Sequence, residues 1–237
     1  MRRTDWAAWH RVYDDPESRF SVRLRLVQAH LREVLDRHPP GPIRIVVPCA
    51  GQGRDVLGML ADHPRRGDVT VTLIDLDPQN AEFARATART LGIDGVAVIE
   101  ADAGRTDVYR GAVPASVVVV VGFFVYLSSR DLSRLIRHLP QLCDRGAVVV
   151  WVRGTVADKH TPESIRARFQ RAGFTSLTPD VETPPEFYVG VERFDGTPVA
   201  LQPGVRLFSF RDPLRLSHHT LRRARKRATR SLRREAT

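Results

Sequence analysis

Short apolar runs recur along the chain, and stretches with helical spacing lie between them. "IRIVV", "VTVTLID", "VAVIEAD", "SVVVVVGF" and "GAVVVWVRG" each read as a strand, because β-branched residues dominate and the runs are too short for buried helices. "EFYVGVERF" and "VRLFSF" read as two late strands. In "SRFSVRLRLVQAHLREVLDRH" the apolar positions take helical spacing from Val27 onward, and "HPPGP" stops that helix. "RDVLGMLADHP" predicts a helix closed by Pro64. "DPQNAEFARATARTLG" predicts one with Pro78 early and Gly92 at its end. "SRDLSRLIRHLPQLC", with Ser129 as N-cap, and "TPESIRARFQRAG", opened by Thr161-Pro162, predict two more.

Strands alternating with helices predict an α/β fold: a doubly wound, mostly parallel, seven-stranded sheet with helices on both faces. The expected divisions are an N-terminal helical cap (1–38), a Rossmann-like domain (39–211) and a basic tail (212–237). The apolar segment 116–127 is too short to span a bilayer. No signal peptide is expected, since "MRRTDWAAWH" has no apolar stretch behind its arginines.

Charge changes this picture only at one end. The chain carries a formal charge of +10, and Asp212–Thr237 contributes +7 of it, nine Arg or Lys against two Asp or Glu. The remainder therefore carries +3, an ordinary globular balance. Lysine occurs only at Lys159 and Lys226, so an arginine-rich codon usage weakens the case for nucleic acid. The two cysteines, Cys49 and Cys143, form neither a disulfide framework nor a metal-ligand cluster and suit a reducing cytoplasm.

The candidate chemistry sits where the first strand ends. "PCAGQGRD" places a tight turn of small residues between strand and helix, which lets backbone approach a ligand. Parallel sheets bind ligands at this end of their strands. Asp75 ends the second strand about 20 residues later, the distance at which a carboxylate meets a ribose diol. Asp102 ends the third strand. A dinucleotide fingerprint fails, because Leu57-Gly58 does not supply the third small residue at the required spacing.

"CAGQG", "LIDLDP" and "EADA" together resemble the class I S-adenosylmethionine-dependent methyltransferases, over roughly residues 40 to 195. "WAAWHRVYDDPESRF" joined to "CAGQGRD" is also similar to an actinobacterial group of such enzymes of unknown substrate. The resemblance implies S-adenosyl-L-methionine as cofactor. It implies contacts from Cys49, Ala50, Gly51, Gln52, Gly53 and Gly122, with Asp75 on the ribose, Leu76 as an adenine wall, and Asp102 and Ala103 at the adenine. Cys49 stands where the family has its first glycine, and Val47-Pro48 replaces an acidic position. Arg54 and Asp55 are the candidates for the methionine carboxylate and ammonium, although Asp55 at a helix start also suits the helix dipole. Asp77 is read as a helix cap and Cys49 as a packing residue.

Methyl transfer needs position and desolvation more than a catalytic triad, and none is visible. His10, Tyr13 and Tyr126 are the candidates for lining the acceptor site. Trp6 and Trp9 read as a hydrophobic cap, Phe123 as core, and Arg153 as either an acid-binding group or a surface ion pair. The expected acceptor is a small molecule or a short peptide-like chain. The alternatives are an RNA methyltransferase anchored by the tail, and a non-catalytic regulator that binds the cofactor. An Asn-Pro-Pro-Tyr motif of base-amine methylation is absent.

Overall fold

The computed structural model describes residues 10–154, 160–179 and 186–210. Seven strands form one sheet: β1 (Ile43–Pro48), β2 (Val69–Asp75), β3 (Val96–Glu100), β4 (Ala115–Val120), β5 (Cys143–Gly154), β6 (Phe174–Ser176) and β7 (Phe187–Phe194). Their order is β3-β2-β1-β4-β5-β7-β6. The first five run parallel; β7 is antiparallel to both β5 and β6.

Among the described residues five α-helices cover the sheet: α1 (Arg19–Arg37), α2 (Arg54–Leu60), α3 (Pro78–Thr90), α4 (Ser129–His138) and α5 (Pro162–Arg171). Both faces are buried, which is why the strands are apolar almost throughout. Ile45, Val47, Val117, Val119 and Val150 share a core with Val27, Leu31 and Leu35 of α1 and Val56 and Leu57 of α2. Their strand neighbours Val46, Val118, Val120, Val149 and Trp151 share the opposite core with Leu132 and Leu135 of α4 and Phe169 of α5.

Three expectations need correction. α1 begins at Arg19, eight residues before Val27, because Ser18 caps it by accepting the Ser21 N–H at 3.1 Å. The apolar positions Val22, Leu24 and Leu26 alternate, yet the side chains that go inside are Ser21 in the first turn and then Arg23, Val27, Leu31 and Leu35, one per turn. "VRLFSF" is no strand of the sheet. Arg206 and Phe210 make single bridges to Arg105 and Leu127, so this segment is a strap running from the loop after β3 to the loop after β4. The cap of α4 is Ser128, which accepts the Asp131 N–H at 2.9 Å, and Ser129 is the first helical residue. The short strand β6 was not foreseen. Among the described residues no helix is long and apolar enough to cross a membrane.

Candidate active site

The strand order reverses between β1 and β4, and the crevice outside their carboxyl ends is the natural ligand site of such a sheet. β1 runs into this crevice and turns through Cys49, Gly51 and Gly53, with φ of +53°, +54° and +69°. The Ala50 N–H donates to the Ile74 carbonyl at 2.9 Å, and the Gly53 N–H donates back to the Ala50 carbonyl at 2.9 Å. A Cβ on Gly53 would lie 2.7 Å from Leu73 Cδ1, so the turn needs glycine there for space as well as conformation. Cys49 adopts the left-handed backbone that glycine would take most easily. Burial pushes its thiol well above the usual range, and Asp75 and Asp102 add to the effect. This disfavours the thiolate, which is the reactive form.

Asp75 closes this loop from the next strand. Its Oδ2 accepts the Gly51 N–H at 2.7 Å and its Oδ1 accepts the Asp77 N–H at 3.0 Å. Each carboxylate oxygen keeps a lone pair for a further donor. Asp77 caps α3, accepting from Gln79 N–H at 2.9 Å and from Asn80 N–H. Leu76, between them, is 64% exposed, an apolar side chain left open beside the carboxylate. Asp102 Oδ1 accepts the Gly104 N–H and its Oδ2 accepts from Arg206 Nη1 on the strap, both at 2.9 Å. Ala103 is buried, and its carbonyl accepts from the Tyr109 hydroxyl at 2.6 Å.

On the other side of the loop, Gln52 is buried and its Oε1 accepts from Arg54 Nε at 2.8 Å. The Arg54 guanidinium lies 5.4 Å from the Tyr13 ring centre and 5.1 Å from that of Phe83. Asp55 stands in the first turn of α2, and its buried Oδ1 has no hydrogen-bond partner. Burial raises its carboxyl above the ordinary carboxylate range, against the pull of Arg23. Tyr13, on the 3-10 turn His10–Asp14, accepts a short hydrogen bond from Arg23 Nη2. Burial pushes the Tyr13 phenol up to about 12 and raises that of Tyr126 as well, with Arg23 opposing both.

Gly122 has φ of +87°, and a Cβ there would sit 4.0 Å from Arg23 Nη1. The following residues build an aromatic wall: Phe210 packs at 6.3 Å centroid distance from both Phe123 and Tyr126 and at 5.5 Å from Phe208. Phe123 is core as expected, while Phe210 is half-exposed. Arg153 is buried, with Nε donating to the His160 carbonyl at 3.2 Å. The side chain of His10, Trp6, Trp9 and the tail lie outside the described residues.

The structure thus gathers the glycine turn, Asp75, Leu76 and Asp102 at one crevice, with Asp55, Tyr13, Tyr126 and Gly122 around Arg23. Sequence reasoning passed over Arg23 and the strap residues Arg206 and Phe210. Arg23 carried a signal, since it stands four residues before Val27, in line with the buried stripe. The strap carried none, because its partners are about a hundred residues away in the chain.

No known family model and no curated protein matches this chain. Solved structures do match its fold. It is similar to a possible exported protein from Bordetella parapertussis, with 17% identity, 82% of this chain and 81% of the other covered, and a TM-score of 0.62. The magnesium protoporphyrin IX methyltransferase of Synechocystis, with S-adenosylmethionine bound, is 15% identical over 81% of this chain and 91% of its own, at 0.62. The carbon methyltransferase CurJ is 15% identical over 81% of this chain and 59% of its own, at 0.65. The architecture is the Rossmann-like fold of S-adenosylmethionine-dependent methyltransferases.

Proposed function

We propose that this protein transfers a methyl group from S-adenosylmethionine to a small-molecule or short peptide-like acceptor, with residues 39–211 as the transferring domain. The observation that carries the proposal is Asp75 at the carboxyl end of β2, whose Oδ2 accepts the N–H of Gly51 in the glycine turn and whose oxygens keep lone pairs for further donors. A ribose diol fits that carboxylate, and the exposed Leu76 offers an apolar wall for a base. The buried, unpartnered Asp55 Oδ1 suits an ammonium group. Asp102 keeps lone pairs for an adenine amine beside the bonds it already accepts.

When bound, the cofactor supplies an electrophilic methyl on a sulfonium. The residues of this chain bind, orient and exclude water. Asp75, Leu76 and Asp102 fix the nucleoside end, and the loop Cys49–Gly53 offers backbone close to it. Tyr126 and the wall behind it hold the acceptor, and Tyr13 encloses it from the opposite side. Both phenols stay protonated at neutral pH, so their contribution is position and not proton removal.

The likeness to an actinobacterial group of unknown substrate belongs to the same proposal, as does a cytoplasmic location, for which the two free cysteines speak. Titration calorimetry with S-adenosylhomocysteine is the test. Micromolar binding by the wild type that falls with Asp75→Ala supports the proposal, and no binding refutes it. Turnover then separates an enzyme from a cofactor-binding regulator.

A further inference from the structure

Asp131, in the first turn of α4, ties the strap to the arginine-rich face of that helix. Its Oδ1 accepts the Ser209 N–H of the strap at 3.2 Å and Nη1 of Arg134, also at 3.2 Å. Phe210 bridges Leu127 just before α4 begins. Phe210 is 47% exposed, and Val125, on the turn leading into α4, is 40% exposed. Two apolar side chains therefore stand open where the arginines of α4 start. The helix is sharply two-sided: Leu132, Leu135 and Ile136 enter the core, while Arg130 and Arg137 are exposed. α5 lies beside it, with Arg168 Nε donating to Ser133 Oγ at 3.1 Å, and ends in the exposed Arg171.

Together α4 and α5 carry six arginines against Asp131 and Glu163. Arg134 already pairs with Asp131. Like charge is crowded here. Burial, Arg137 and Arg134 hold His138 below its ordinary value, and burial and Arg171 do the same to Arg168. Such an excess on one face repels itself and favours an anionic partner. Two residues beyond Phe210 the chain enters 212–237, which carries +7. The basic tail thus departs from the same place.

We propose that the outer face of α4 and α5, with Val125, Phe210 and the basic tail, docks the protein on an anionic lipid surface. The arginines suit the headgroups, and Val125 and Phe210 suit the boundary between headgroups and acyl chains. RNA would use the arginines too, but it offers nothing to an exposed valine, which gains only by leaving water. The face lies apart from the glycine turn and Asp75, so the inference is independent of methyl transfer. Phe210 also belongs to the aromatic wall beside Tyr126. Docking would bring that wall to the lipid and let an apolar acceptor enter from the bilayer, a consequence that does rest on the proposed function.

The test is co-sedimentation of the full chain with vesicles of phosphatidylcholine, alone or mixed with phosphatidylglycerol. The wild type should bind the mixed vesicles at least about tenfold more tightly, and salt should weaken that binding. Arg130→Gln combined with Arg137→Gln should weaken it about 10- to 30-fold, at about fivefold per arginine. Both side chains are exposed, so the circular dichroism of the variant should match the wild type. Val125→Ser should weaken binding several-fold, and its loss should persist at high salt, where the arginines contribute little. Truncation after Asp212 should lower the affinity yet leave binding that the paired substitution then removes.

Equal binding to both kinds of vesicle overturns the surface. So does complete loss on truncation with no effect of the paired substitution, which would leave the helices as a solvated face. Tight binding of polyuridylate that the paired substitution weakens, with Val125→Ser silent toward both ligands, marks a nucleic-acid surface instead. Calorimetry in which S-adenosylhomocysteine does not bind refutes methyl transfer, and the vesicle comparison still decides the docking surface.

Discussion

Gly51 donates its backbone N–H to Asp75 Oδ2 at 2.7 Å, across 24 residues of chain. The glycine turn after β1 and the acid that ends β2 are therefore one unit, and the carboxylate is oriented before any ligand arrives. If Asp75 holds a ribose as proposed, Asp75→Ala removes two charge-assisted bonds to it, together about 2–4 kcal/mol. S-adenosylhomocysteine should bind on the order of 30-fold more weakly or worse. The variant also strands the Gly51 and Asp77 N–H groups, so it should lose about 1–3 kcal/mol of stability. Unchanged affinity by calorimetry would remove the main support for the proposed cofactor.

The backbone of Cys49 sets the second expectation. Its φ of +53° is one that glycine adopts without cost. Cys49→Gly should be near neutral, within about 1 kcal/mol, because relief of the left-handed backbone offsets lost packing and added unfolded-state entropy. Cys49→Val should lose more than about 1 kcal/mol, since a branched side chain suits that conformation worse. Burial also raises the thiol of Cys143 far above its ordinary value. The native protein should thus react only slowly with iodoacetamide at pH 8. Rapid alkylation of Cys49 would revive it as a nucleophile.

The central strands were legible because both of their faces are buried, so continuous apolar runs such as residues 117–121 admit few other readings. The glycine turn and Asp75 were legible because their chemistry is local to two strand ends. The start of α1 was not, because arginines at positions 23 and 25 imposed an alternation on a helix that Ser18 had already capped. Arg23 was hidden for the same reason: a charged residue reads as surface until the fold puts Tyr13 and Phe20 around it. The strap 205–210 escaped because its hydrogen bonds, such as Leu207 N–H to the Gly104 carbonyl, join distant parts of the chain.

Tyr13 and Tyr126 bear on pH dependence. With phenols raised by burial, neither changes protonation between pH 6 and 9. Tyr13→Phe and Tyr126→Phe should each slow methyl transfer by about tenfold or more through lost positioning, without moving the pH profile. Removing residues 1 to 14 should abolish turnover yet weaken S-adenosylhomocysteine less than about tenfold, and His10→Ala should cost less than that deletion. A profile whose basic limb shifts in Tyr126→Phe would make that tyrosine a general base.

The basic tail gives a separable expectation. Its nine Arg or Lys favour polyanions through counterion release. Truncation after Asp212 should leave S-adenosylhomocysteine affinity unchanged and lower the salt needed to elute the protein from heparin. Nonspecific RNA affinity of the full chain should fall steeply with salt. Sequence-selective RNA binding that resists salt and survives truncation would make RNA the acceptor.

Asp55 separates a binding residue from a structural one by the sign of two effects. Its carboxyl is raised in the folded protein, first by burial, with Arg23 and its own backbone N–H pulling the other way. The folded state therefore holds the proton more tightly than the unfolded chain, whose value is near 3.8. Stability contributed by this group is present below that value and is lost as pH rises through the folded one, so the ionised acid is a burden at pH 7. Asp55→Asn removes the burden and keeps the side chain's shape at the start of α2. The ligand-free variant should melt higher at pH 7, by about 2–4 °C for each kcal/mol gained, and the advantage should vanish below about pH 4. An amide is a poorer acceptor for an ammonium group, so S-adenosylhomocysteine should bind about tenfold more weakly. A structural acid would show neither pattern: its loss would lower the melting temperature and leave the ligand alone. That outcome, from paired melting and calorimetry, would take Asp55 out of the site.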